Sequence, residues 1–217
     1  VPTAAVAGTV FNWTSSVTVG TVTGNTAVGG LGTIADVLVN TTNVIGTVRY
    51  VITPVANGCS GTPFNVDVTV DPQPTLSTVV TPLSQVLCSN TAMVIDVNSA
   101  TVPSAGSVVY DYVAVASDVS VTGFTASAIN QSLATNISNL NVLNSSLIRQ
   151  TITYTITPKV LGGLACAGPS VVVVISIDPV PVVSSAATKS ICSGVSVNYV
   201  PTAAVAGTVF NWTSSVT

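Results

Sequence analysis

The amino-acid sequence predicts an all-β protein made of tandem Greek-key β-sandwich domains arranged head to tail. Short segments alternate apolar and polar residues, as at Ile152, Tyr154 and Ile156, which is the period of a half-buried strand. These segments are rich in Val, Ile, Thr and Tyr and are bounded by Gly, Pro, Asn and Ser, whereas helix signals are almost absent. The length of 217 residues suits two sandwiches of about 100 residues each.

A long repeat supports the tandem arrangement. Residues 1–18 recur letter for letter as residues 200–217, so residue 200 repeats residue 1 and the period is 199 residues. We therefore expect the chain to be an excerpt of a longer repetitive protein, cut within a repeat; an artificial duplication is the alternative.

A weaker repeat lies within each period. Three pairs of strings correspond: Tyr-x-Ile-Thr-Pro at 50–54 and 154–158, Asp-Pro-x-Pro at 71–74 and 178–181, and Leu/Ile-Cys-Ser-Asn/Gly at 87–90 and 191–194. Each period is thus predicted to hold two diverged copies of one domain. Because Pro ends strands and stiffens short linkers, Asp-Pro-x-Pro marks the boundaries. The predicted domains are 1–74, which lacks its first strands A and B, 75–181, which is complete, and 182–217, which holds strands A, B and C of the next copy.

The strand order predicts an immunoglobulin-like sandwich. In the complete domain we expect A near 75–80, B near 92–97, C near 107–115, E within 129–140, F at 151–158 and G at 170–177. In the other domain we expect B at 195–200, C at 9–15, E at 34–42, F at 47–54 and G at 64–71. Such sandwiches bury an aromatic residue on strands C and F, here Trp13 and Tyr112 on C and Tyr50 and Tyr154 on F.

These strings also carry a family resemblance. Tyr-x-Ile-Thr-Pro, a Gly/Cys loop, alternating Val residues ending in Pro-x-Pro, and then Cys-Ser-Gly together resemble the PKD-like repeats of giant cell-surface adhesins of Bacteroidetes, including gliding-motility adhesins. The resemblance covers most of the chain. It implies export by the type IX secretion system, a long filament on the cell surface and adhesion to substrata or glycans. The usual Trp-Asp-Phe-Gly-Asp-Gly string is missing, since Thr14, Ser15 and Ser16 follow Trp13.

The composition argues against several functions. Only 5% of residues are charged, the seven acids are all Asp, and His is absent, so general acid–base catalysis has few candidate groups and we expect no enzyme activity. Four scattered basic residues cannot form a nucleic-acid-binding stripe. The longest apolar run, residues 171–175, is far too short for a membrane-spanning helix, so no membrane insertion is expected.

We expect no cofactor, with calcium at the domain junctions as the one alternative. Asp71 and Asp178 in the linkers, or Asp111 and Asp118 around a loop, offer carboxylates, but calcium needs about six to eight oxygen ligands and no Asp-x-Asp string occurs. Asn-x-Ser/Thr strings are expected often in so Thr/Ser-rich a chain; they lie at Asn12, Asn40, Asn130, Asn136, Asn144 and Asn211.

The four cysteines predict disulfides across domain junctions and an oxidising, extracellular location. Cys88 and Cys192 precede strand B, whereas Cys59 and Cys166 lie between F and G, at the opposite end of a sandwich. The two ends are about 25–35 Å apart, but a disulfide needs Cα atoms within about 7 Å. Head-to-tail stacking instead brings Cys88 to the Cys59 position of the following period, and Cys166 to the Cys192 position of the preceding one. The alternative is local pairing of Cys59 with Cys88 and of Cys166 with Cys192.

Three functions follow from these expectations. The leading one is a structural stalk, a filament segment whose expected partners are the neighbouring repeats of the same chain, other filaments and surface glycans. The second is a binding module that acts through loops 117–130 or 24–33. Exposure of Phe11, Phe64 or Phe124 at the surface would favour this function. The third is a non-covalent fibre in which residues 182–217 of one subunit complete the sandwich 1–74 of the next by strand addition.

Overall fold

The computed structural model describes residues 3–27, 29, 33–81 and 85–215, and this part of the chain contains strands and no helix, which confirms the all-β prediction. No candidate membrane-crossing helix is found among these residues. The strands are β1 (Val10–Val19), β2 (Val22–Thr23), β3 (Val39–Asn40), β4 (Gly46–Ala56), β5 (Cys59–Ser60), β6 (Phe64–Val70), β7 (Ser77–Thr81), β8 (Val86–Cys88), β9 (Thr91–Asn98), β10 (Ser107–Ala116), β11 (Val121–Thr122), β12 (Ser127–Ser132), β13 (Ile137–Asn144), β14 (Gln150–Leu161) and β15 (Val171–Asp178).

Strands β7 to β15 form a two-sheet sandwich, here called the second unit. One sheet has the order β12-β10-β14-β15-β8 and the other has the order β11-β13-β9-β7. All pairs are antiparallel except β8 with β15, which run parallel with Cys88 opposite Asp178. This is the arrangement A to G expected for an immunoglobulin-like sandwich, with β8 added between strands A and B.

The core of the second unit lies between its two sheets. Alternation along the strands turns every second residue inward, and the exposed fraction of Tyr154, Ile156 and Ile175 is 0%. Tyr154 on β14 contacts Tyr112 on β10 with ring centroids 6.0 Å apart. The predicted aromatic pair of strands C and F therefore lies at the centre of this core.

Strands β1 to β6 are here called the first unit, in which β1, β4 and β6 repeat the three central strands β10, β14 and β15 of the five-stranded sheet. Strand β4 pairs with β1 on one side and with β5 and β6 on the other, and Trp13 meets Tyr50 edge-on at 5.7 Å. The second sheet is reduced to the two-residue ribbon of β2 and β3. Trp13 and Tyr50 are buried with Val22, Val48 and Ile52 in a separate, smaller core.

Two strand predictions for the first unit are wrong: one strand is much shorter than expected, and the other does not form. Strand E was expected at 34–42, but only Val39–Asn40 pairs, and strand B was expected at 195–200, where the structure describes no strand. In the second unit β13 pairs with β9, whereas the described residues of the first unit contain no counterpart of β9. Residues 182–215 carry one isolated bridge, between Val183 and Ala203, and are mostly exposed, because no sheet is present beside them to complete their backbone hydrogen bonds.

The predicted strand E of the second unit also needs a correction. Residues 127–132 form β12, which pairs with β10 at the edge of the other sheet, and strand E is β13, at 137–144. Both segments have strand-like composition, so the alternation alone did not show where one ended. Strand β8 was not predicted at all, since three residues are too few for a period to be recognised.

A buried asparagine holds the turn after β13 against the edge of strand β15. The Nδ2 group of Asn144 donates to the carbonyl oxygens of Ile148 and Ile177, each at 2.8 Å, while its Oδ1 accepts from the backbone and hydroxyl of Ser146. Asn40 makes the same four hydrogen bonds in the first unit, to Val44, Val70 and Thr42. These two Asn-x-Ser/Thr strings thus have a structural role, because the Nδ2 groups of Asn40 and Asn144 donate hydrogen bonds to backbone carbonyl oxygens.

We predict that Asn144→Ala destabilises the protein by about 2–3 kcal/mol, because the buried carbonyl of Ile177 and the partly buried carbonyl of Ile148 lose their donor. Asn141→Ala is the matched control, since Asn141 lies on the same strand with an exposed side chain. Urea denaturation of both variants measures the difference. Equal stability of the two variants would show that the asparagine turn is incidental.

Candidate functional site

The most specific constellation of polar side chains lies at the junction between the two units. Asp71 ends the first unit, and its carboxylate accepts hydrogen bonds from the backbone N–H and the hydroxyl of Ser104, at 3.0 and 3.1 Å. The N–H of Val102 donates to the carbonyl oxygen of Asn43 at 2.7 Å. The loop that precedes β10 is therefore fixed to the end of the first unit at two points.

The linker itself is packed rather than free. Pro72 and Pro74 are buried, and the Nε2 group of Gln73 donates to the carbonyl oxygen of Ala167 at 3.2 Å. A Cβ atom on Gly168 would lie 1.7 Å from the carbonyl oxygen of Pro74, so only glycine permits this approach. The loop between β14 and β15 thus closes over the linker from the other side.

The chain enters and leaves the second unit at opposite ends. The entering linker contacts Ala167 and Gly168, which precede the first residue of β15, and the chain leaves after Asp178, the last residue of that strand. The eight residues of β15 span about 25 Å at roughly 3.3 Å per residue. The first unit and the segment after Asp178 therefore lie at opposite ends of the second unit.

The candidate calcium ligands are hydrogen-bonded to protein groups. Asp71 accepts from Ser104, and Asp178 accepts from Arg149 at 2.6 and 2.8 Å. Asp111 accepts from Lys159 at 2.7 Å, and Asp118 accepts from the N–H of Ser120 at 2.8 Å. Residues 3–27, 29, 33–81 and 85–215 contain no cluster of three or more His, Cys, Asp or Glu side chains that could hold a metal ion.

Ion pairs and buried hydroxyls set the electrostatics of the two units. The Arg149 guanidinium lowers the pKa of Asp178, and the Arg49 guanidinium lowers the pKa of Asp67. Burial, with a hydrogen bond to Asp36, raises the pKa of Tyr50 to about 12. These groups keep one protonation state around neutral pH, which suits a structural role.

Three of the four predicted disulfide cysteines, Cys59, Cys88 and Cys166, lie at the ends of the two units. Cys88 is opposite Asp178, where the chain leaves the second unit, and Cys166 lies beside Val160, where the chain enters. Cys59 follows β4 in the first unit, and Cys192 lies in the exposed segment after the second unit. All four cysteines carry free thiols in the structure, so their pairing stays a prediction.

The two-sheet topology, the C–F aromatic pair and the parallel β8–β15 contact define an immunoglobulin-like β-sandwich protein. A family model described as "PKD-like domain" matches residues 2–74 and 85–181, and the chain belongs to that family. No curated protein matches the chain. PKD-like domains are typically extracellular and generally non-catalytic, and this family membership supports an extracellular adhesion or structural module.

Sequence reasoning identified the linkers but missed the groups that hold the first one. The Asp-Pro-x-Pro string indicated a boundary, whereas Ser104 and Asn43 had no signal of their own. Their partners are between 33 and 94 residues away in sequence, as for Ser104 with Asp71 and Gln73 with Ala167. For Gly168 the available clue was the internal repeat, because Gly61 stands at the same place, two residues after the loop cysteine.

We predict that Gly168→Ala loosens the junction, because its Cβ would overlap the backbone of Pro74. Gly61→Ala is the matched control: Gly61 occupies the equivalent loop of the first unit, and its Cβ would approach closely only the side chain of Pro54, at 2.9 Å. Limited proteolysis within residues 71–76 should be faster for Gly168→Ala than for Gly61→Ala and the unchanged chain. Equal cleavage of the two variants would argue against a packed linker.

Proposed function

We propose that this chain is a stalk segment of a long, repetitive, secreted cell-surface adhesin. The observation that carries the proposal is the linker between the two units, which is packed against the second unit. The chain enters the second unit at one end of β15 and leaves it at the other end. A row of such domains extends in one direction with little bending at each junction. The adhesive part of the protein is thereby held away from the cell.

The pairing of β8 with β15 supports a load-bearing role. A force applied along the row pulls β8 and β15, which are parallel, in opposite directions. The hydrogen bonds from Ser176 to Gln85 and from Ser89 to Asp178, both 2.8 Å, lie across that direction. They must therefore break together rather than one after another.

Disulfides across the junctions complete this proposal. Cys166 lies in the loop that covers the linker, and Cys88 lies where the chain leaves toward the following domain. Cys88 and Cys166 are separated by the length of β15, so a bond between them within one domain is incompatible with the fold. Bonds of Cys88 with Cys59 and of Cys166 with Cys192, each between adjacent domains, would staple every junction.

We predict that oxidation of the purified 217-residue chain gives a ladder of disulfide-linked multimers. Local pairing of Cys59 with Cys88 and of Cys166 with Cys192 would instead give an oxidised monomer. A non-reducing gel with peptide mapping distinguishes the two results. A Cys88–Cys166 linkage would contradict the strand order itself.

The family resemblance suggests the setting of the stalk. We infer attachment or gliding motility on the surface of a Bacteroidetes cell, after export by the type IX secretion system. The outward face of the five-stranded sheet presents Val113, Thr155 and Val172 side by side, with exposed fractions of 54% for Val113 and 60% for Val172. This apolar strip supports contacts between neighbouring filaments.

One observation favours the binding module as a second candidate. Phe64 is 45% exposed, whereas Phe11 and Phe124 are partly buried against the two cores. Of the candidate loops, 117–130 is described throughout, while residues 28 and 30–32 of loop 24–33 lie outside the described residues. Phe64 alone among these three phenylalanines is exposed, and this is weaker support than the packed junction.

Electron microscopy of the native cell surface tests the stalk. We expect thin filaments labelled along their whole length by an antibody against this chain, with a regular spacing between labels. Labelling confined to filament tips would contradict the stalk and favour the binding module.

A further inference from the structure

One side of the second unit leaves the edges of both its sheets open. Strand β15 pairs with β14 along residues 171–177, but β8 covers its other edge only at residues 176–178. Strand β7 ends the second sheet on the same side, because residues 78–80 line a groove together with Val172 and Val173. The two sheet edges therefore lie beside each other, and among the described residues no strand covers either edge at the level of this groove.

The backbone groups of Val172 and Val174 point to this open edge. The N–H of Ser176 donates to the carbonyl oxygen of Gln85 across the edge at 2.8 Å, and the backbone groups of a strand alternate between its two sides. Val172 and Val174, four and two residues earlier, therefore direct their N–H and C=O groups away from β14. The described part of the chain supplies no partner for these groups, so the edge can accept another strand.

The sequence of this edge does not oppose strand addition. Residues 170–175 contain no proline and no charged side chain, and β15 pairs with β14 without a bulge. At the opposite edge of the same sheet, the pairing of β12 is interrupted by a register shift. In the first unit the equivalents of Val172 and Val174 are Asn65 and Asp67, so that edge carries a charge. The edge of the second unit lacks these protective features.

A second copy of the second unit is the partner that this side fits. Both sheet edges are open here, and only a partner with two sheets covers both, whereas a single extended peptide would cover one. The side chains that line the groove are all uncharged, so two identical surfaces meet without like-charge repulsion. The apolar strip on the outward face, which includes Val172, would continue from one copy to the other.

We propose that two copies of the second unit associate edge to edge through antiparallel pairing of their β15 strands, with their β7 strands side by side. A two-fold axis at Val173 brings Val172 of each copy opposite Val174 of the other, and this register uses the outward backbone groups of both residues. The contact is isologous, so it closes as a pair. Parallel pairing of two identical edges would need a shift of one residue and would not be symmetric.

The direction of β15 decides which filaments can meet. The strand runs from the end where the linker contacts the second unit to the end where the chain leaves. Antiparallel β15 strands therefore belong to filaments that point in opposite directions, as those of two facing cells do. The setting of this contact rests on the proposed stalk, and its partner is the same stalk on a facing cell. Each contact can be weak, because a filament offers one in every period.

Two valines of equal exposure give a matched test. Val172 lies at the edge and is 60% exposed, whereas Val115 lies on β10, two strands away on the same face, and is 61% exposed. We expect the unchanged chain to form dimers at concentrations up to about 1 mM in sedimentation experiments under reducing conditions. Val172→Lys should raise the dissociation constant by about tenfold or more, because two lysine side chains then lie close to the two-fold axis, and Val115→Lys should leave it nearly unchanged.

Thermal unfolding serves as the folding control, because both valines are exposed and either variant should match the unchanged chain. A chain that stays monomeric over this range of concentrations would overturn the proposal. Equal effects of the two substitutions would also overturn it, because they would place the contact on the sheet face instead of the edge.

Amide hydrogen exchange tests the backbone pairing. We expect the N–H groups of Val172 and Val174 to exchange rapidly in dilute solution and more slowly as the concentration rises, whereas the amides of β12 should not respond to concentration. Slower exchange at Val172 without any change along β7 would indicate a single added strand and would reject the two-sheet contact.

The register is tested by mixing two variants. Val172→Lys and Val174→Asp place opposite charges across the contact, so their equimolar mixture should associate more strongly than either variant alone. A mixture of Val172→Lys with Val115→Asp is the negative control. The absence of any difference between the two mixtures would refute the register.

Failure of the edge contact and failure of the stalk are distinguishable. Filaments seen on native cells, combined with a purified chain that never associates, would retain the stalk and reject the edge contact. Dimers with the predicted response to Val172→Lys, without native filaments, would do the reverse.

Discussion

The inner face of a single β-sheet must be covered by a second sheet, and this constraint governs the whole chain. Strand β15 meets it with β8 beside it and with β7 and β9 opposite, and Ile175 and Ile177 become fully buried. Strand β6 has the same alternation but lacks these neighbours among the described residues, and Val66 stays 38% exposed. Apolar burial is the dominant favourable term in folding, so the inner face of β15 contributes more to stability than the inner face of β6 does among these residues.

Because the chain has few charged residues, hydrogen bonds from amide and hydroxyl groups hold most of its turns and its junction. Asn40 and Asn144 each fix a turn with four hydrogen bonds, and Ser104 fixes the junction to Asp71. The three ion pairs of the described residues are exposed or partly exposed, and pairs of this kind contribute at most about 1 kcal/mol each. The stability of the two units therefore rests mainly on packing and on buried amide groups.

The sequence by itself determined the fold class and the central strands C, F and G, because residues such as Tyr50, Tyr154 and Ile175 alternate strictly and side chains of a strand face opposite sides in turn. It also placed the linkers, because proline restricts the backbone locally. Only the tertiary structure decided which short segments become strands: β12 pairs with β10, β8 pairs with β15, and 195–200 forms no strand. It alone also joined Ser104 to Asp71 and Gly168 to Pro74. Such pairings depend on partners far along the chain, and local periodicity carries no information about them.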